Sequence, residues 1–274
     1  MLMTPRQLVT RTVGHVKKLP GIEALRRRRH LAHFFSSRGY GAHYGVFSSF
    51  EQARDWLPKT GEFDRPEFSE EYLGVRTQRV FAYDYPVMFW LKMAFAQGAT
   101  SVFDIGGSVG VHYYAYSKFL DYPEQLHWTV CELSHAVRLG RELAVKEDAR
   151  QLHFTESMAP AEIAADVLIM AGTLEFIEDW RFGDFLRRCQ RRPNHILLNK
   201  LPLHNGDDFV STQHICAGAF APHHVFNRAK FIESVEREGY RLVDAWDVPD
   251  RSFFMPGHPD KSFDTYSGLH FQAI

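Results

Sequence analysis

The 274-residue chain is poor in cysteine, nearly neutral in charge and without any long apolar run. Its three cysteines, Cys131, Cys189 and Cys216, lie far apart with no CxxC spacing. That excludes a disulfide framework or a thiolate zinc site and fits a reducing compartment. A formal net charge of −1 gives no whole-protein field to draw nucleic acid or acidic partners. The longest apolar stretch, Pro86 to Phe95, is broken by Lys92 and falls short of the roughly 20 residues of a membrane span. The start lacks the continuous apolar segment of a secretory signal, so a cytoplasmic protein with no transmembrane segment is expected. Histidines number 15, yet none forms an HExxH motif, and the adjacent pair His223 and His224 cannot chelate as an i, i+4 pair would. No metal site is expected. Repeats and low-complexity tracts are also missing.

What is present first is a basic start: Arg6, Arg11, Lys17, Lys18 and Arg26 to Arg29 against the single acid Glu23. It reads most simply as a solvated helix face; the other reading is an arm making weak contact with anionic lipid or a polyanionic substrate. Residues 1 to about 35 read as basic helix broken at Pro20-Gly21, and Gly39 to Phe47 as an aromatic, glycine-punctuated loop. Ser48 or Ser49 caps a short helix through Trp56, and residues 59 to 84 are polar and mixed, with Tyr72 and Tyr83. Pro86 opens a helix that stops at Gly98. Residues 1–85 are thus expected to form an N-terminal basic helical segment acting as a substrate lid.

From about residue 100 short apolar runs alternate with amphipathic segments, as in a parallel sheet covered by helices. Strands are expected at Ser101–Ile105, Leu126–Leu133, Leu152–Thr155, Asp166–Ala171, His195–Leu201, Leu242–Trp246 and Leu269–Gln272. Helices are expected at Val111–Leu120, His135–Val145, Asp179–Cys189 and Arg228–Glu238. The fold class is α/β: a doubly wound, mostly parallel seven-stranded sheet over residues 86–274, with an antiparallel edge strand.

The decisive segment runs Ser101-Val102-Phe103-Asp104-Ile105-Gly106-Gly107-Ser108-Val109-Gly110-Val111. A buried strand ends near an acid, turns over glycines and opens a helix, where small residues let the backbone approach a ligand and free N–H groups face it. Read as G-x-G-x-x-G it fails, because Ser108 and Val111 stand where glycines belong, so the dinucleotide fingerprint is absent. Read as D-x-G-x-x-x-G it is complete. The next strand, Trp128 to Glu132, ends in a carboxylate 26 positions past Gly106 (132 − 106), suited to accept both ribose hydroxyls of a nucleoside. A second small-residue turn, Gly172-Thr173, follows the fourth strand, and Glu156 ends the third where an adenine amine could be met.

On these segments the chain resembles class I, Rossmann-like S-adenosylmethionine-dependent methyltransferases over residues ~86–274. More narrowly, it is similar to a bacterial family of methyltransferases linked to surface-polysaccharide or natural-product loci. Gly45 to Ala53, the glycine turn, Ala171 to Ile177 and His223 to Arg228 carry that likeness. The resemblance implies S-adenosylmethionine as cofactor, with Asp104, Gly106, Gly107 and Gly110 at its methionine part, Glu132 at the ribose, Glu156 at the adenine and Gly172 at its inner face. It implies methyl transfer to O or N of a small-molecule or glycan acceptor, with no nucleic-acid partner. Ser108 departs from the commonest form of the motif, in which that position is glycine.

Candidates for acid–base work lie between the fifth strand and the last long helix: Lys200, His204, Asp208, Gln213 and His214. The segment Pro202 to Asn227 is too long for a turn and begins at the ligand edge. His214 is the expected base because histidine titrates near neutrality, and Glu175, just past the fourth strand, is the second catalytic candidate. Tyr40, Tyr44, Phe47, Tyr83 and Tyr85 are expected to close over the acceptor. Two other readings compete: a non-catalytic nucleoside-binding scaffold, and an NAD-dependent oxidoreductase, against which the failed fingerprint weighs.

Overall fold

The computed structural model describes residues 20–60, 62–63, 73–159, 162–179, 181–216 and 218–274; the basic residues before position 20, and Tyr72, lie outside them. The chain opens with α1 (Pro20–Phe34), β1 (His43–Phe47) and α2 (Phe50–Trp56). Ser49 accepts the Gln52 N–H and so caps α2, as its place before an amphipathic run predicts. Next come α3 (Tyr85–Ala96), β2 (Ser101–Ile105), α4 (Val111–Tyr116), β3 (His127–Cys131), α5 (Ser134–Lys146), β4 (Leu152–Thr155) and β5 (Val167–Ala171). The second half holds α6 (Phe182–Arg188), β6 (His195–Leu201), β7 (Leu203–His204), β8 (Phe209–Cys216), β9 (Ala219–Asn227), α7 (Arg228–Glu236), β10 (Tyr240–Val248) and β11 (Tyr266–Ala273).

Seven strands form the main sheet in the order β10-β11-β6-β5-β2-β3-β4. Strands β4, β3, β2, β5 and β6 are parallel, and β11 runs antiparallel to both neighbours. β5 is buried at all five positions, because its alternate residues serve opposite faces. Val167 and Ile169 join Val102, Val130 and Leu197 under α3, α4 and α5, whereas Leu168 and Met170 join Phe103, Ile196 and Leu198 under α6 and α7. Each such side chain contributes about 1.5–3 kcal/mol on burial. The fold is therefore α/β and wound on both faces.

One detail differs from expectation. The antiparallel strand is not the edge: β11, buried from Tyr266 to Phe271, sits between β6 and β10. Burial on both faces suits a strand with two neighbours, and β10, whose interior positions from Arg241 to Asp247 stay half-buried or exposed, takes the edge.

A second sheet, in the order β1-β8-β9-β7, corrects two further readings. The long segment Pro202 to Asn227, where no strand is expected, holds a hairpin of regular strands, and residues 43–47 of the supposed aromatic loop are a strand paired to it, with His43 opposite Gln213 and Tyr44 opposite Thr212. Thr212 Oγ1 donates to the Tyr44 carbonyl at 2.6 Å and Ser211 Oγ to the Gly45 carbonyl at 2.8 Å. β1 and the insertion thus fold as one layer, joined to the main sheet through Tyr83, Phe209, Val225, Val248, Phe253 and Tyr266. Among the described residues no helix is long and apolar enough to cross a membrane.

Candidate functional site

The carboxyl ends of β2, β3, β5 and β6 open into a cavity of about 360 Å³, closed on its other side by the N-terminal layer and by Gln213 and Ile215 of β8. That volume is within the usual range for a small-molecule or cofactor site. Gly106, Gly107, Ser108, Glu132, Glu156, Gly172 and Glu175 all line it. Asp104 and Gly110, assigned to the ligand by resemblance, stand behind its wall.

The turn after β2 is held from below. Asp104 is fully buried, and its carboxylate accepts the His112 Nδ1–H at 2.9 Å. A Cβ on Gly107 would lie 2.4 Å from Asp104 Oδ2, so only glycine lets the chain pass over this carboxylate. Gly106 has φ +76°, and a Cβ there would meet Thr173 Oγ1 at 2.0 Å, where the turn after β5 crosses it. Gly110, at φ +92°, starts α4 against Leu152. Ser108 adopts φ +52°, a left-handed conformation that disfavours a side chain. Ser108→Gly is expected to raise unfolding stability by about 0.5–1 kcal/mol, with the steric relief partly offset by glycine's entropy. Urea denaturation checks this, and an unchanged or lowered midpoint would contradict the strain.

Glu132 is half-buried at the end of β3. It accepts the Leu133 N–H at 2.7 Å, and the Ser108 backbone amide of the glycine turn acts on the same carboxylate. Burial raises its carboxyl above the ordinary range, and those two amides pull it back. Glu156 is exposed at the rim.

Glu175 sits in the 3-10 turn Leu174–Phe176 directly after β5. It is buried, and its Oε2 has no hydrogen-bond partner among the described residues. Burial pushes the carboxyl up to about 7, against the pull of Lys200 and Arg251. Lys200 also lines the cavity, in a left-handed backbone at φ +58°, with its Nζ 5.4 Å from the Tyr83 ring centre. Burial first, then Arg76 and Arg251, bring its ammonium down to about 8. A buried acid and a half-buried base, each displaced toward neutrality, therefore face one cleft.

His214 does not reach it. Neighbours on a strand point to opposite faces, so Gln213 and Ile215 look into the cavity while His214 looks away. Its Nδ1 lies 2.8 Å from the Phe34 carbonyl, and its ring packs against Phe34 and Phe220. This histidine ties β8 to α1, and the base expected of it has to be sought elsewhere. His204 and Asp208 also lie outside the cavity, with His204 Nε2 2.8 Å from the Asp207 carbonyl and Asp208 accepting the Asn227 N–H. Of the aromatic residues expected over the acceptor, Tyr40 and Tyr83 line the cleft, whereas Tyr44 stacks on Trp56. Sequence reasoning missed His112, Arg76 and Arg251, which only the folded chain brings here.

No protein-family model and no curated protein matches the sequence. Among solved structures, the chain is similar to an S-adenosylmethionine-dependent methyltransferase from Aquifex aeolicus, at 14% identity and a TM-score of 0.48, over 77% of this chain and 99% of that one. It is also similar to the Burkholderia thailandensis 1,6-didemethyltoxoflavin-N1-methyltransferase, bound to 1,6-didemethyltoxoflavin and S-adenosylhomocysteine, at 15% identity and a TM-score of 0.45 over 79% and 94%. A third likeness is to the N-terminal domain of EvdMO1 with S-adenosylhomocysteine, at 14% identity and a TM-score of 0.46 over 76% and 95%. At such identities these are likenesses of fold, and the function of this chain has to rest on its own geometry.

Proposed function

We propose that the protein is an S-adenosylmethionine-dependent methyltransferase acting on O or N of a small molecule or glycan precursor. One observation carries the reading: the glycine turn after β2 and the carboxylate of Glu132 after β3 border the same cleft. The small-residue turn suits an adenosyl amino acid because Gly106, Gly107 and Ser108 line the cleft, in a shape held by Thr173 and Asp104 packed against the two glycines. In this reading the turn's backbone holds the amino-acid tail, with Asp104 and His112 fixing it from behind and Gly110 starting the helix beyond it. Glu132 accepts the ribose diol, Glu156 meets the adenine, and Gly172 leaves room at the inner face.

Bound S-adenosylmethionine would supply an electrophilic methyl group on a sulfonium. The protein's part is to align the acceptor with it, worth about 7–11 kcal/mol in well-oriented systems. For a hydroxyl or amide acceptor, Glu175 is the group that receives the proton, since it is buried at the cleft, its Oε2 has no hydrogen-bond partner among the described residues, and burial pushes its carboxyl up to about 7.

Calorimetry with S-adenosylmethionine, S-adenosylhomocysteine and NAD tests the class. The adenosyl ligands should bind in preference to NAD, and Glu132→Ala should weaken S-adenosylhomocysteine by about 10–100-fold, the value of hydrogen bonds to a charged group. Preferential NAD binding would reject the proposal. Transfer of labelled methyl onto a panel of sugars and phenols then separates an enzyme from a non-catalytic scaffold.

A further inference from the structure

The cleft is polarised in charge. Its nucleoside end presents Glu132 and Glu156, whereas the opposite end presents Arg76, Lys200 and Arg251. Lys200 and Arg251 have no favourable interaction with a sulfonium, so their charge calls for an anionic partner. Taking the methyl-transfer reading as given, we propose that the acceptor carries an oxyanion, a carboxylate or a phosphate, seated between Lys200 and Arg251.

Both cations are built into the fold. Asn199 is buried; its Nδ2 donates to the Tyr83 carbonyl at 2.9 Å, and its Oδ1 accepts the Lys200 N–H at 3.0 Å, fixing the root of the lysine at the end of β6. Arg251 is held at its backbone, its N–H donating to the Val248 carbonyl and its carbonyl accepting the Tyr266 N–H, at 3.1 and 3.0 Å. Among the described residues neither head group is ion-paired to a carboxylate. Arg76 donates to the Tyr83 hydroxyl and lies over the Phe81 ring at 4.6 Å, so it frames the site.

The carboxylates nearby, Asp84 and Glu175, act on Lys200 less strongly than Arg76 and Arg251 oppose them. Asp84 already accepts the Phe81 N–H at 2.9 Å and the Tyr116 hydroxyl at 3.3 Å. Glu175, with its carboxyl near 7, carries only part of its charge at neutral pH. Room for a larger acceptor exists, because a second cavity of about 230 Å³ adjoins the first and shares Tyr40, Gln213, Arg251 and Tyr266 with it. The one carboxylate lining that annex, Asp250, is exposed.

The test titrates charged probes and their neutral twins, phenyl phosphate against phenol and benzoate against benzamide, into the full chain saturated with S-adenosylhomocysteine. At least one anion should bind about tenfold or more tightly than its twin, in line with a charge-assisted hydrogen bond, and whichever prevails distinguishes phosphate from carboxylate. Arg251→Gln and Lys200→Gln should each weaken the anion severalfold while leaving S-adenosylhomocysteine affinity intact. Equal binding of charged and neutral probes to the wild type would overturn the proposal without any variant. So would a parallel fall in S-adenosylhomocysteine affinity, which would assign the cations to the cofactor's own carboxylate. Anion binding by a protein that ignores S-adenosylhomocysteine, with the titrations then run on the bare chain, would sink the methyl-transfer reading and leave the oxyanion site standing.

Discussion

Gly106→Val should yield a folded protein that no longer binds S-adenosylmethionine or S-adenosylhomocysteine measurably. Two effects act together. The φ of +76° is open to glycine and strained for a β-branched residue, and the added Cβ would lie 2.0 Å from Thr173 Oγ1, well inside contact distance. Strain of this kind costs about 1–3 kcal/mol and can be relieved only by moving the turn, which spreads the cradle. An affinity loss of about 100-fold or more is expected by calorimetry, corresponding to a ligand whose tail has lost its backbone partners. A thermal melt run alongside shows whether the variant folds. Adding Thr173→Ala should restore part of the affinity by removing the Oγ1 and Cγ2 contacts while the backbone strain remains. An affinity within about threefold of wild type would mean that the turn does not hold the ligand.

Glu175→Gln should lower kcat by about 100-fold or more toward a hydroxyl or amide acceptor, the usual scale for loss of a positioned base, with little change in S-adenosylmethionine affinity. The pH dependence has a definite sign. Burial holds the Glu175 carboxyl near 7, above the ordinary 4.5, so the charged form is the disfavoured one in the folded chain. The rise corresponds to about 3 kcal/mol between the two protonation states. Stability associated with this group is therefore full below pH 4.5 and is lost as the pH rises through about 7. Turnover moves the other way, increasing as the carboxylate forms. In Glu175→Gln both dependences should flatten, and an unchanged pH–rate profile would remove Glu175 from the reaction. A structural role alone would change the melting temperature and leave the profile in place.

Much of the main sheet was legible because its signals are local. Ser101–Ile105, Leu152–Thr155 and His195–Leu201 match their expected limits, as short apolar runs bounded by polar turns allow no other face to be buried. The glycine turn was readable for a related reason: an acid and small residues at fixed spacing describe a backbone shape. The second sheet was not legible. β1 carries two histidine-or-tyrosine rings and a glycine, and its partner β8 follows more than 160 residues later, so neither strand announces itself alone. The same distance hid the cationic side of the cleft. Arg251 and Tyr266 enter it only through the placement of β10 and β11, and Lys200 acquires its significance from burial beside them.

His214 shows where residue type misleads. Histidine as a residue type made it the obvious base, yet on β8 a shift of one position decides which face a side chain takes, and Gln213 and Ile215 hold the cavity side. Glu175, less conspicuous in the sequence, sits where the strand's end delivers it to the ligand edge.

A structure of the protein with S-adenosylhomocysteine bound is the most direct test. The amino-acid tail should rest on the N–H groups between Gly106 and Ser108, with both ribose hydroxyls within hydrogen-bond distance of the Glu132 carboxylate. A ligand bound among Lys200, Arg251 and Tyr83 with its ribose away from Glu132, or no ligand at saturating concentration, would contradict the assignment of this turn.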